Sequence, residues 1–179
     1  EEHGVWICLI VGPGHYVGNC AVRCCDVGDI LKRIEERVNA DGKNERQLTF
    51  TSANDDAPKW SPDGKKIAFS SYRDGDWNIY VMNADGSNAK QLTTDRILKM
   101  LPVVSPDGRY IVYTSAAGGG QLFRIDMSGG NPVQLTSGVG GESPDISIDS
   151  KWVLYFTYID GKASIVRMPI GGGEPQKLY

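Results

Sequence analysis

The chain has 179 residues, a length for one domain or for one domain with an appendage. Hydrophobic residues at 40% and aromatics at 9% supply a core, which excludes a chain disordered by composition. The net charge is only −3 and is spread evenly along the sequence, so no basic face is set aside for phosphates and nucleic acid is not an expected partner.

Residues 1–37 differ in character from the rest. They hold all four cysteines, Cys8, Cys20, Cys24 and Cys25, and both histidines, His3 and His15. The longest apolar run, 5–11, is far short of the roughly 20 residues a membrane helix needs. It follows Glu1 and Glu2 rather than a basic flank, so no secretory signal is expected in this chain. The cysteines are candidates for disulfides, and free core thiols are the other reading. A zinc site built with His15 is disfavoured, because adjacent cysteines and a three-residue gap do not match paired metal-ligand spacing. No cofactor or metal is expected. In residues 28–37 the spacing of Ile30, Leu31 and Ile34 among charges predicts a helix.

From residue 38 the sequence repeats. Ser61-Pro62-Asp63-Gly64 recurs as Ser105-Pro106-Asp107-Gly108 and decays to Ser147-Ile148-Asp149-Ser150. A proline stands three residues before each serine, at Pro58, Pro102 and Pro144. Gln-Leu-Thr occupies 47–49, 91–93 and 134–136, and residues 177–179 complete the series. Between these markers lie short runs rich in β-branched and aromatic residues, at 66–70, 110–114 and 152–156, then at 78–82, 121–125 and 164–168. Proline presets one φ of the Pro-Asp-Gly turn and glycine tolerates the other, which suits a tight connection. Each unit therefore holds four strands in about 40–45 residues, the size of a propeller blade. The expectation is an all-β fold of antiparallel blades: a leading strand at 44–50, then blades at about 51–93, 94–136 and 137–179. Residues 4–11 and 15–25, joined by Gly12-Pro13-Gly14, offer the alternative to a helical leader, a degenerate fourth blade.

The stretches 60–71 and 77–86, WSPDGKKIAFSS and WNIYVMNADG, resemble the TolB-type propeller repeat. Similar repeats occur in prolyl-oligopeptidase-type enzymes and in sensor domains of bacterial kinases. The resemblance covers 38–179 and implies a periplasmic or extracellular protein. It further implies a six-bladed propeller with a separate amino-terminal domain, working in a peptidoglycan-linked envelope complex. This chain carries half those blades and a short, Cys-rich leader.

Catalytic signals are sparse. There is no Gly-x-Ser-x-Gly elbow and no histidine after His15, so a Ser-His-acid set is not expected. Asp55 and Asp56 precede the first strand of a blade, near one mouth of a propeller channel. With Arg73 they are candidate ligand contacts, and as paired acids they carry the alternative of sugar or peptide processing. Asp74 and Asp76 read as turn acids. Trp60 aligns with Val104 and Ile146 and reads as core. The leading expectation is a non-catalytic binding scaffold with a protein partner; a propeller detached from a larger peptidase-type enzyme and a self-assembling structural protein are the others. Three blades leave two open ends, which monomers rarely tolerate. Closure of a six-bladed ring by two chains is therefore expected.

Overall fold

The computed structural model describes residues 46–138 and 140–179, together with the backbone of two short strands, Val22–Cys24 (β1) and Glu35–Arg37 (β2). The remaining strands are β3 Arg46–Gln47, β4 Asp55–Trp60, β5 Lys66–Ser71, β6 Asn78–Asn83, β7 Lys90–Gln91, β8 Lys99–Val104, β9 Tyr110–Ser115, β10 Gln121–Asp126, β11 Val133–Gln134, β12 Glu142–Ile146, β13 Trp152–Ile159, β14 Lys162–Pro169 and β15 Gln176–Lys177. They form three four-stranded antiparallel sheets, β4-β5-β6-β7, β8-β9-β10-β11 and β12-β13-β14-β15, each a simple meander. The only helical turn among the described residues is Ala117–Gly119.

A fourth sheet, β1-β2-β3, precedes them. Of the helix expected over 28–37, only Glu35–Arg37 is described and it is a strand, paired with β1 on one side and β3 on the other; 28–34 lie outside the described residues. Pairing on both edges outweighs the local periodicity that suggested a helix. In order and direction these strands match the last three of each complete blade. The side chains of Cys8, Cys20, Cys24 and Cys25 lie outside the described residues.

The Ser-x-Asp turn has the same construction three times. The Ser61 hydroxyl donates to Asp63 Oδ1 at 2.6 Å and accepts from the Lys66 N–H at 2.8 Å, while Asp63 Oδ1 accepts from the Lys65 N–H at 3.1 Å. Ser105 with Asp107 and Ser147 with Asp149 repeat these bonds. In the third copy Ser150 holds φ 58°, where the first two turns have glycine. The proline before each turn also recurs structurally. The register of the first strand slips once per blade, beside Ala57, Leu101 and Ser143, which all have φ of 50–55° and all precede the proline. Proline has no N–H to lose, so a bulge there sacrifices no ladder donor.

The Gln-Leu-Thr marker ties the outermost strand back to the third. Thr93 Oγ1 accepts from the Ile79 N–H and bonds Asn78 Oδ1, both at 3.0 Å, and Thr136 does the same for Leu122 and Gln121. Its leucine packs between sheets. Leu48 joins Ile67, Phe69, Tyr80 and Met82, with Trp60 against them, between the leading sheet and the first blade. Ala68, Ile79, Ile111, Tyr113 and Ile125 fill the next layer; Val112, Leu122, Val153, Tyr155, Val166 and Met168 fill the last. The first and second blades thus bury both faces against neighbours, as doubly apolar strands require, and the third buries the Val153 and Tyr155 side.

Candidate functional site

The starts of the first strands, the ends of the second and the loops between blades converge at one end of the sheets, the mouth. Asp55, Lys99 and Gly141 occupy the same place in successive blades, three residues before each proline. Asp55 is fully buried, and its two carboxylate oxygens each accept from Arg73 Nη2 at 3.1 Å. The Arg73 guanidinium also lies 4.6 Å from the Tyr80 ring centroid and 5.1 Å from that of Phe69, and its Nε donates to Ser71 Oγ at 2.8 Å. The charge pair therefore clips the first strand to the loop after β5. Tyr80 donates its hydroxyl to Asp74; burial, reinforced by that bond, holds the phenol well above its ordinary pKa.

Lys99, also buried, pairs with Asp95 and donates to the carbonyls of Asp95 at 3.1 Å and Ile97 at 2.7 Å. Burial pulls its pKa down and the Asp76 carboxylate opposes that. The sequence singled out Asp55, Asp56 and Arg73 as candidate ligand contacts; the structure pairs Asp55 with Arg73, and Asp55 lies within β4 rather than before it and offers no oxygen to solvent. Asp56 accepts from the Ala57 N–H at 2.9 Å and is only half-buried. Lys99 carried no signal that sequence reading used.

Apolar side chains were the larger omission. Tyr72, Ile97, Leu98 and Leu101 are exposed at this same end, Leu98 by 42% and Leu101 by 41%. Leu98 and Leu101 border a cavity of about 340 Å³ between the second and third blades, which Met100, Thr114 and Ala116 also line. The signal was present as the run 97–101, ILKML, which crosses from the inter-blade loop into β8 without alternating. The left-handed φ of Leu101 breaks the pleat and leaves its side chain partly exposed.

The TolB beta propeller domain family matches residues 37–179. The chain belongs to the TolB β-propeller family. Among curated proteins this TolB-family chain is 35% identical over 75 residues to "Tol-Pal system protein TolB" of Roseobacter denitrificans, a match covering 41% of this chain and 17% of that protein. Over 38 residues it is 50% identical to "Dipeptidyl-peptidase 5" of Porphyromonas gingivalis, covering 21% of this chain and 6% of that one. A solved TolB structure from Agrobacterium tumefaciens superposes with a TM-score of 0.73 at 25% identity, over 88% of this chain and 59% of the other. The chain thus spans about three fifths of that structure and far less of the curated relatives. No helix among the described residues is long and apolar enough to cross a membrane.

Proposed function

We propose that this TolB-family chain is a non-catalytic scaffold that docks a partner protein at the mouth, in the periplasm or outside the cell. The observation that carries the reading is the exposed set Tyr72, Ile97, Leu98 and Leu101 beside a cavity of about 340 Å³, on a rigid platform of strands. Exposed apolar side chains around a small cavity suit an apolar anchor from another protein. The relative named for the Tol-Pal system supports an envelope protein as that partner, and the family supports the compartment. The acids support the same reading, since Asp55 is committed to Arg73 and Asp74 accepts from Tyr80.

The test is retention of an envelope partner on the immobilised chain. Leu98→Asp with Leu101→Asp is expected to lower retention at least about tenfold while leaving thermal stability near that of the parent. Unchanged retention overturns the reading. A catalytic alternative, a propeller working within a peptidase-type enzyme, draws support from the 38-residue match. It would have to use Asp56, the half-buried acid of the pair. Hydrolysis of peptide or oligosaccharide substrates that disappears with Asp56→Asn would favour it over the scaffold.

A further inference from the structure

The layers between blades are not closed equally at the edge away from the mouth. Between the second and third blades, Arg124 lies over the Tyr110 ring, 4.5 Å from its centroid, and donates from Nη1 to the Ile170 carbonyl of the next blade at 3.1 Å. The third blade repeats this pair as Arg167 over Trp152, at 4.4 Å. The first blade has Lys66 and Val81 at the corresponding positions. Without the arginine-on-aromatic pair, the layer between the first and second blades opens there into a groove of about 770 Å³, which Val81, Tyr110 and Met127 line together with Lys66, Lys90 and Arg109.

The charge of this groove stands against an acidic chain. Three cations border it against one acid, Asp126, whose carboxylate accepts from Asn131. Lys66 donates to Asn83 Oδ1 at 2.7 Å and Lys90 to the Ser128 carbonyl at 2.6 Å, both neutral oxygens. Among the described residues neither lysine is paired with a carboxylate; Arg109 pairs with Asp107. The volume falls within the range of ligand sites.

We propose that this groove binds an acidic, extended peptide segment of a partner protein, its carboxylates on Lys66 and Lys90 and an aliphatic side chain on Val81 and Met127. The aliphatic floor favours a peptide over an acidic sugar, whose hydroxyls would meet Val81 and Met127 without hydrogen-bond partners. The site lies at the opposite ends of the strands from the mouth and does not depend on the docking surface there.

The test is fluorescence anisotropy with a fluorescein-labelled peptide alternating glutamate and leucine, with a lysine–leucine peptide of the same length beside it. Saturable binding of the acidic peptide is expected, weakening as salt is raised. Lys66→Tyr with Val81→Arg rebuilds the pair that closes the next layer and is expected to weaken binding by about tenfold or more. Lys90 is exposed, so Lys90→Glu gives a variant whose folding is not at issue, with the same expected loss. Equal binding of the lysine–leucine peptide, affinity unchanged in Lys90→Glu, or preference for an oligogalacturonate over the acidic peptide would each overturn the assignment.

Discussion

Asp55 and Arg73 are 18 residues apart in sequence, yet their pairing decides what both can do. A buried carboxylate stripped of its partner costs far more than an exposed pair yields. Arg73→Met is therefore expected to destabilise the chain by about 3 kcal/mol, read as a shift in the urea midpoint, with Asp55→Asn restoring part of the loss. The turn acids behave differently because they are exposed. The Ser61 hydroxyl, then the Lys65 N–H, hold the Asp63 carboxyl below its usual pKa, and Ser147 and Lys151 do so for Asp149. At Asp107 burial pushes upward, and the bonds from Ser105 and Arg109 outweigh it. All three folded values lie below the unfolded one of about 4. Their contribution is thus present above that pH and is lost as pH falls through the lowered values. Urea midpoints measured against pH should drop below about pH 4, and the triple variant Asp63→Asn, Asp107→Asn, Asp149→Asn should flatten that drop. The turn was legible in sequence because its chemistry is local. The Asp55–Arg73 pair was not, because only the fold brings the two elements together, although both residues stood out as candidates.

At the scale of strands and turns, the repeat was readable for the same reason that the leader was not. Each blade announces itself through Ser-x-Asp, the proline before it and Gln-Leu-Thr, all of which make bonds within one blade. In 28–37 no such marker exists, and the spacing of Ile30, Leu31 and Ile34 points to a helix, whereas the pairing of Glu35–Arg37 with strands on either side is a non-local fact. Gly86 shows a marker whose meaning crosses blades. It holds φ 87°, and a Cβ there would lie 2.5 Å from the Leu48 carbonyl oxygen of the preceding sheet. Gly129 sits likewise on the Leu92 side chain, at 2.9 Å. Gly86→Ala is expected to cost about 2 kcal/mol, because the obstacle is backbone that cannot rotate aside. Thermal unfolding checks this, and Gly64→Ala, which meets nothing within 4 Å, serves as the comparison for strain alone.

Across the three blades, the outer face of the third sheet repeats a face that is buried in the second. Leu154 and Phe156 stand where Val112 and Thr114 stand in the second blade, and Ile165 where Leu122 does. There Ile165 is 46% exposed and Tyr158 55%, with Phe156 edge-on to Tyr158 at 5.2 Å. Such a face calls for cover, and self-association of this chain is the outcome expected when nothing else supplies it. Light scattering should report a mass above one chain. Ile165→Lys with Phe156→Glu should return it toward one and reduce binding of a hydrophobic dye. A stable single chain that binds no dye would count against this. With the leading sheet β1-β2-β3 the chain supplies part of a blade beyond the three complete ones.

The two sides of the first blade are unlike: one presents Ile67, Phe69, Tyr80 and Met82, the other Ala68 and Ile79. The bulkier surface meets the leading sheet and the shallower one the second blade, so each junction is made of unlike surfaces. The alternation of large and small side chains along β5 thereby gives this blade a front and a back.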